Sequence, residues 1–140
     1  RDKLVTGVQT CALPIYEKNS VVYTGTHDNQ TMQGWLDSAS DEAVQIAAQY
    51  AYGRKIGLDE ARRLASSGEL GKALVRLAIS SAADTAVIPI QDILGVGDEG
   101  RMNAPSTVGT NWTWRFELSE LTDERARHLA FLSALYGRNL

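Results

Sequence analysis

The chain has 140 residues and a formal net charge of −3, which is the size of one ordinary domain. No cluster of lysine and arginine is long enough to form a basic arm, so we expect no nucleic-acid partner. No apolar run approaches the roughly 20 residues that cross a bilayer, so we expect no membrane partner. The single cysteine, Cys11, excludes an internal disulfide and a multi-cysteine metal site.

The first segment, residues 1–15, fits poorly with the rest of the chain. Its stretch LVTGVQTCALPI resembles a translated sequencing-adapter read-through, of the kind found at the ends of assembled environmental reads. We therefore expect residues 1–15 to be a non-native leader and leave them out of the fold prediction. The alternative is a genuine short strand over residues 4–9 that Pro14 stops.

Two short apolar runs predict strands. Residues 21–25 (VVYTG) and 85–90 (TAVIPI) are rich in β-branched residues and lack polar alternation. This composition is typical of strands that are buried on both faces of a parallel sheet. Pro89 weakens the second prediction because proline cannot donate a hydrogen bond to a neighbouring strand.

Helical spacing dominates the interval between the two runs. Ser40, followed by two acidic residues, predicts the start of a helix that stops at Gly53. A short helix is predicted over residues 59–66 and a longer one over 69–82. The residues predicted to face inward are Val44, Ala47, Ala48, Ala51, Leu70, Ala73, Leu74, Leu77, Ala78 and Ser81.

A polar loop and a last helix come after the second run. The loop over residues 95–115 contains Trp112 and Trp114, and a structureless loop of that length is uncommon unless it is functional. Thr122 is predicted to cap a helix over residues 123–137. The residues predicted to face inward from this helix are Leu129, Leu132 and Leu135.

The order of strand, helices, strand, loop and helix predicts an α/β fold made of two βα units. Polar clusters come just after each predicted strand, and the carboxyl ends of parallel strands are where open sheets and (β/α)8 barrels bind ligands. Two parallel strands cannot bury themselves, whereas a full barrel takes about 250 residues. We therefore expect this chain to be a part of something larger.

The polar cluster after the first strand, Thr26 to Asn29, is compatible with three kinds of site. A metal site is possible for His27 and Asp28, although no further histidine or carboxylate lies at ligand spacing nearby. A structural role is also possible, in which Asp28 or Asn29 caps the next helix. The third possibility is a site where the carboxylate and the imidazole hydrogen-bond the hydroxyls of a sugar or similar polyol.

The second cluster leaves two further questions open. Asp92 could cap a helix or form an ion pair with Arg101. The indoles of Trp112 and Trp114 suit stacking on sugar rings, but a tryptophan pair is more often part of a core, and core packing is the prediction here.

Three stretches, VVYTGTHDNQTMQGW, SAADTAVIPIQDILGVGDEGRMNAPS and NWTWRFE, resemble in this order the C-terminal part of the 4-α-glucanotransferases, glycoside hydrolase family 77. The resemblance implies that residues 16–140 are the last two βα units of a (β/α)8 barrel, incomplete and helix-rich. It implies a cytoplasmic enzyme without metal or organic cofactor. Its partners would be α-1,4-glucans and maltooligosaccharides, between which it transfers glucan segments with retention.

The resemblance also implies roles for individual residues. Asp28 matches a third catalytic carboxylate, which grips the sugar ring where it distorts, and His27 matches the neighbouring histidine that binds a hydroxyl. Asn103 matches a position close to the substrate, and Gln91 and Asp92 match positions that end a strand and serve the structure. The nucleophile and the acid/base match no residue here, so we expect the chain alone to be inactive.

The chain departs from the commoner family pattern at several positions. Gln30 stands where Asp is usual, and Asp98 and Gly100 stand where Ser and Ala are usual. Ser106 replaces a usual glycine and would stiffen its loop if a positive φ is required there. Two alternatives to the transferase stay open: a hydrolytic or branching relative in the α-amylase superfamily, and a non-catalytic glucan-binding fragment with NWTWR as its sugar platform.

Overall fold

The computed structural model describes residues 19–138, so the predicted leader at residues 1–15 lies outside the described residues. Within this range the chain forms a two-stranded parallel sheet and six α-helices. No helix in this range combines the length and the apolar composition that a bilayer crossing requires. The elements are β1 (Val21–Tyr23), α1 (Met32–Ser38), α2 (Asp41–Tyr52), α3 (Leu58–Ser66), α4 (Glu69–Ile79), β2 (Thr85–Val87), α5 (Ile90–Leu94) and α6 (Asp123–Leu135), with 3₁₀ turns at Asp98–Gly100 and Leu118–Glu120.

The two strands confirm the predicted βα arrangement. β1 and β2 pair in parallel with Val22 opposite Ala86, and helices α1 to α4 supply the crossover that a parallel pair requires. Both strands are shorter than predicted. β2 ends at Val87 because Pro89, which has no N–H to donate, comes directly before α5.

The expectation that both strands are buried on two faces is wrong for the described residues. Val21 and Tyr23 are each 48% exposed and Val87 is 42% exposed. A parallel sheet normally has helices or further strands over both faces, and the described part of the chain provides no such cover for these side chains. The sheet therefore presents apolar surface, as a part of a barrel does.

The larger core lies among helices α1 to α4. Ser40 starts α2 as predicted, since its hydroxyl accepts the Ala43 N–H at 3.3 Å, and Gly53 ends the helix at φ 63°. The many alanines at these contacts let the helices approach closely. The buried residues of this core are Leu36, Val44, Ala47, Ala48, Ala51, Ile56, Ala61, Ala65, Leu70, Ala73 and Leu74.

A smaller core joins the second half of α4 to α6. Val75, Ile79 and Leu132 form it. Leu77 and Leu135 are 40% and 56% exposed, so the prediction that they face inward is wrong. The reason for Leu77 is that the packing partners change along α4: helices α1 to α3 cover its first turns, and the later contacts come from the opposite side, where Val75 and Ile79 lie.

Helix α1 was not predicted. The Thr31 hydroxyl caps it by accepting the Gly34 N–H at 3.0 Å. No acidic residue stands in its first turn and a glycine lies in its interior, so the sequence signal was weak. The Asp98 side chain lies against Gly34, and a Cβ there would lie 2.5 Å from Oδ1 of Asp98, so this side chain would have to move.

Candidate functional site

Two loops meet at the carboxyl ends of the strands and form the candidate site. Residues 24–31 join β1 to α1, and residues 95–115 come after α5. Between them lies a cavity of about 250 Å³. Its lining residues include Tyr23, Thr26, His27, Asn29, Gln91, Asp92, Arg101 and Met102.

The structure brings the three predicted site residues together. The Asn103 side-chain amide donates to Oδ1 of Asp28 at 2.6 Å, and Nε2 of His27 lies 3.3 Å from the same oxygen. The backbone N–H of Asn103 also donates to the His27 carbonyl at 3.0 Å. The side chains of His27 and Asp28 are 55% and 47% exposed, and no hydrogen bond from a described residue reaches Oδ2 of Asp28. One carboxylate oxygen is therefore held while the other is available to a ligand.

An aromatic side chain extends this cluster. The ring of Trp112 packs against the His27 ring with centroids 5.1 Å apart. Trp112 is 53% exposed, so the prediction of core packing is wrong for it, and Trp114 instead stacks on Phe116 at 5.6 Å. Trp112 has a φ of 66°, a costly conformation for a bulky residue. The hydrogen bond from its N–H to the Met102 carbonyl, at 2.7 Å, helps to hold it there.

Arg101 crosses between the two loops, and its place in the site was not predicted. Its Nη2 donates to the Asp28 carbonyl at 2.8 Å, and its Nε donates to the Asn103 carbonyl at 2.9 Å. The predicted pairing with Asp92 is wrong, because no described carboxylate lies within ion-pair distance of the Arg101 guanidinium. Its position in RMN, two residues before Asn103, was the only sequence signal available.

Asp92 is buried beneath the first loop, 8% exposed. Its carboxylate accepts the Thr24 hydroxyl at 2.5 Å and the Met32 N–H at 2.8 Å, so it ties down both ends of the loop that carries Asp28. The predicted capping role is met in part, since Thr31 is the N-cap of α1 and Asp92 accepts a further N–H of its first turn, that of Met32. Burial raises the pKa of Asp92 above its ordinary value, and these two hydrogen bonds lower it in part.

Gln91 also has a structural place. It is buried and donates to the Gly100 carbonyl at 3.0 Å, which anchors the start of the second loop. Gln91 and Asp92 lie in α5, and the expectation that they end a strand is wrong. The strand stops earlier because Pro89 interrupts it.

Three departures from the family pattern have a visible place in the structure. Gln30 donates to Oδ2 of Asp98 at 3.1 Å, so two of the unusual residues contact each other. Ser106 has a φ of 64°, which is the left-handed conformation that favours glycine. A serine there carries the backbone cost that the usual glycine would avoid.

The structure bears on the capping alternative for the first cluster. Thr31 caps α1, so capping by Asp28 or Asn29 is wrong. The side-chain oxygen Oδ1 of Asn29 instead accepts the N–H and the hydroxyl of Thr26, each at 2.8 Å. Within residues 19–138 no three histidine, cysteine, aspartate or glutamate side chains gather as metal ligands do.

Comparisons with known proteins identify similar sequences. A model of the family described as 4-alpha-glucanotransferase matches residues 8–121. The match begins inside the segment that we expect to be a non-native leader, and that expectation stays a prediction. The 4-alpha-glucanotransferase of Synechocystis sp. is 42% identical over 122 residues, which are 87% of this chain and 22% of the relative. The chloroplastic/amyloplastic 4-alpha-glucanotransferase of Solanum tuberosum is 39% identical over 126 residues, covering 88% of this chain and 20% of the relative.

A solved structure is similar as well. Amylomaltase from Streptococcus agalactiae, in complex with acarbose, superposes with a TM-score of 0.76 at 28% identity, covering 89% of this chain and 23% of that one. The chain thus spans about a fifth of the length of the curated relatives it matches. With a family match over most of its residues, the chain belongs to the 4-alpha-glucanotransferase family.

Proposed function

We propose that this chain is the C-terminal part of a retaining 4-α-glucanotransferase, contributing the last two βα units of its (β/α)8 barrel. The enzyme transfers α-1,4-glucan segments between maltooligosaccharides. Family membership and the similarity to an amylomaltase structure support this proposal. The parallel strand pair and the site at its carboxyl end are consistent with a barrel, where ligands bind at that end.

The half-held carboxylate of Asp28 is the observation that carries the proposal. Asn103 occupies Oδ1, which aims the carboxylate and leaves Oδ2 to accept hydrogen bonds from sugar hydroxyls. These bonds strengthen as the ring flattens and gains positive charge in the oxocarbenium-like transition state. A pre-aimed group of this kind contributes about 3–4 kcal/mol of transition-state stabilisation.

His27 and Asn103 bind substrate beside Asp28 in this proposal. The 3.3 Å contact of Nε2 with Asp28 orients the imidazole and leaves its other nitrogen for a hydroxyl of the same sugar. The exposed ring of Trp112, packed on His27, adds an apolar surface of the type that stacks on sugar rings.

The nucleophile and the acid/base belong to other segments of the complete enzyme. Retaining glycosidases place these two carboxyl groups about 5–5.5 Å apart, and the reaction needs neither a metal nor an organic cofactor. The 140-residue chain alone is accordingly proposed to be inactive. Its cytoplasmic location also stays a prediction, and the potato relative is named as chloroplastic/amyloplastic.

Replacing Asp28 in the complete enzyme tests the proposal. We expect Asp28→Asn to lower kcat by about 100-fold or more, with little change in thermal stability because the side chain is half exposed. Asp37→Asn, an exposed change on α1, is the matched control and should keep wild-type turnover. Near-normal turnover by the Asp28 variant would refute the role proposed for this carboxylate.

The same enzyme separates transfer from hydrolysis. With maltotriose as substrate, transfer redistributes chain lengths while the number of reducing ends stays constant, because each bond cleaved is replaced by one formed. A hydrolytic relative would instead release reducing ends in step with substrate loss. A branching relative would form products that resist enzymes specific for α-1,4 bonds.

A further inference from the structure

Four hydrogen bonds join the loop that carries Asp28 to the loop that carries Asn103. One runs from Gln30 to Asp98, and the other three meet at His27 and Asp28. The Asn103 N–H binds the His27 carbonyl, the Asn103 amide binds the Asp28 carboxylate, and the Arg101 guanidinium binds the Asp28 carbonyl. The residues that these three bonds join lie more than seventy residues apart in sequence. Arg101 is the member of this set that holds the main chain of Asp28.

The same guanidinium also holds the other segment. Its Nε donates to the Asn103 carbonyl at 2.9 Å while its Nη2 donates to the Asp28 carbonyl at 2.8 Å. A guanidinium is planar and carries five donors in a rigid fork, so it can hold two carbonyls at a set separation. A lysine ammonium is a single flexible centre and does not impose that separation.

We propose that Arg101 is a positioning residue, whose guanidinium fixes the main chains of Asp28 and Asn103 relative to each other so that carboxylate and amide face one sugar ring. This inference rests on the proposed role of Asp28 in glucan transfer. Arg101 acts through these two residues, since both of its hydrogen bonds go to main-chain carbonyls.

Arg101 can position these residues because the neighbouring hydrogen bonds still allow the main chain of Asp28 to move, and the guanidinium restricts that movement. The Asn103 N–H holds the main chain at one point, the His27 carbonyl, and the Asn103 amide sets one side-chain distance to the Asp28 carboxylate. The main chain of Asp28 can still pivot about the His27 carbonyl. Displacement of about 1 Å from the productive geometry can cost on the order of 100-fold in rate. The guanidinium prevents that shift at the peptide of Asp28 itself.

Kinetics of two variants in the complete enzyme test the inference. We expect Arg101→Lys to lower kcat about ten- to 100-fold while KM changes much less, because ground-state binding uses many other contacts. We expect Arg101→Ala to lose a similar factor and to regain part of its kcat when guanidinium ion is added at millimolar concentration. Rescue by the free ion shows that the missing donor fork, and not a collapsed loop, causes the loss.

Arg125 offers a matched control. Its guanidinium also bridges two carbonyls, those of Glu120 at 2.7 Å and Leu94 at 3.4 Å, but it does so away from the loop that carries Asp28. Arg125→Lys should therefore leave kcat and KM unchanged. Guanidinium ion at the same concentration should not raise the activity of the wild-type enzyme or of this control.

The outcomes separate this inference from the proposed function. Wild-type kcat in Arg101→Lys, together with a large loss in Asp28→Asn, overturns the positioning role and leaves the proposed function standing. A loss of kcat in Arg101→Ala that accompanies a loss of folded protein and is not rescued also overturns it. Wild-type kcat in Asp28→Asn rejects the proposed function itself.

Discussion

The helical half of the chain and its two site loops are held together by different forces. Helices α1 to α4 and their connections bury eleven residues of one apolar core, all of them alanine, valine, isoleucine or leucine. The loops over residues 24–31 and 95–115 bury little, and hydrogen bonds of charged or amide side chains join them. Apolar burial is non-directional, whereas hydrogen bonds fix direction. The core therefore supplies stability, while the loops supply the geometry that a substrate meets.

This contrast predicts that changes in the two regions separate stability from catalysis. Core changes should lower the free energy of unfolding and leave kcat intact while the enzyme stays folded. Changes at Asp28 and Arg101 should do the reverse. Substitutions at Leu70, Asp92 and Ser106 test this contrast through the free energy of unfolding, in order of decreasing expected effect.

The largest effect should come from Leu70, which is fully buried at the start of α4. Leu70→Ala removes buried methyl groups and leaves a cavity, so we expect a loss of about 2–5 kcal/mol in the free energy of unfolding. Leu77→Ala on the same helix is the matched control, and it should cost under about 1 kcal/mol because Leu77 is 40% exposed. Denaturant unfolding of the complete enzyme measures both, and equal losses would contradict the division of α4 between two cores.

An intermediate effect is expected at Asp92, where the two regions meet. Asp92→Ala leaves the Met32 N–H and the Thr24 hydroxyl without their acceptor, which should cost about 1–3 kcal/mol. Asp92→Asn keeps an oxygen for the Met32 N–H and should be milder. Unfolding of the three proteins at neutral pH checks this order, and an Asn variant as unstable as the Ala variant would contradict it.

The pH dependence of Asp92 has a definite sign. Because burial raises the pKa of Asp92 in the folded state, the folded protein holds this proton more tightly than the unfolded chain does. The resulting stabilisation is complete below the unfolded pKa of about 3.9 and is lost as the pH rises through the folded pKa. The difference in unfolding free energy between wild type and Asp92→Asn should therefore shrink as the pH rises from about 4. A difference that grows over this range would contradict the raised pKa.

The smallest effect is expected at Ser106. Its left-handed backbone costs an L-residue about 1–2 kcal/mol, and a glycine there relieves this cost but loses more entropy on folding. We expect Ser106→Gly to stabilise the enzyme by up to about 1 kcal/mol. Ser106→Ala, which keeps the strain, is the control and should bring no gain. Thermal unfolding compares the two, and a gain in the alanine variant would show that the backbone is not the cause.

Local patterns predicted the helical half well because its signals are local. Ser40 and Thr122 each cap the helix that they were expected to cap, and Gly53 ends α2. These interactions span three or four residues, so the sequence alone carries them. Helix α1 escaped prediction because its first turn lacks an acidic residue and its interior holds Gly34.

The site was predicted only in part, because its contacts span long separations. Asp28, His27 and Asn103 were assigned through resemblance, and their contact with one another became visible only in the fold. The role of Arg101 was not predicted because both of its acceptors are backbone carbonyls. Every residue has such a carbonyl, so the sequence does not show which ones a side chain will bind.

The sequence by itself determined the two parallel βα units, most of the helices and the family. Helix caps, apolar spacing and the order of motifs are all properties of residues close together or in fixed order in the chain. Only the tertiary structure decided that Asp28 has one held and one open oxygen, and that Trp112 packs on His27 in the exposed site rather than in a core. It also showed that the Asp92 carboxylate accepts hydrogen bonds from both ends of the loop that begins after β1, from Thr24 and from Met32. The physical reason is that a carboxylate, an amide or a guanidinium can bond several partners, and the folded backbone selects which of them comes within reach.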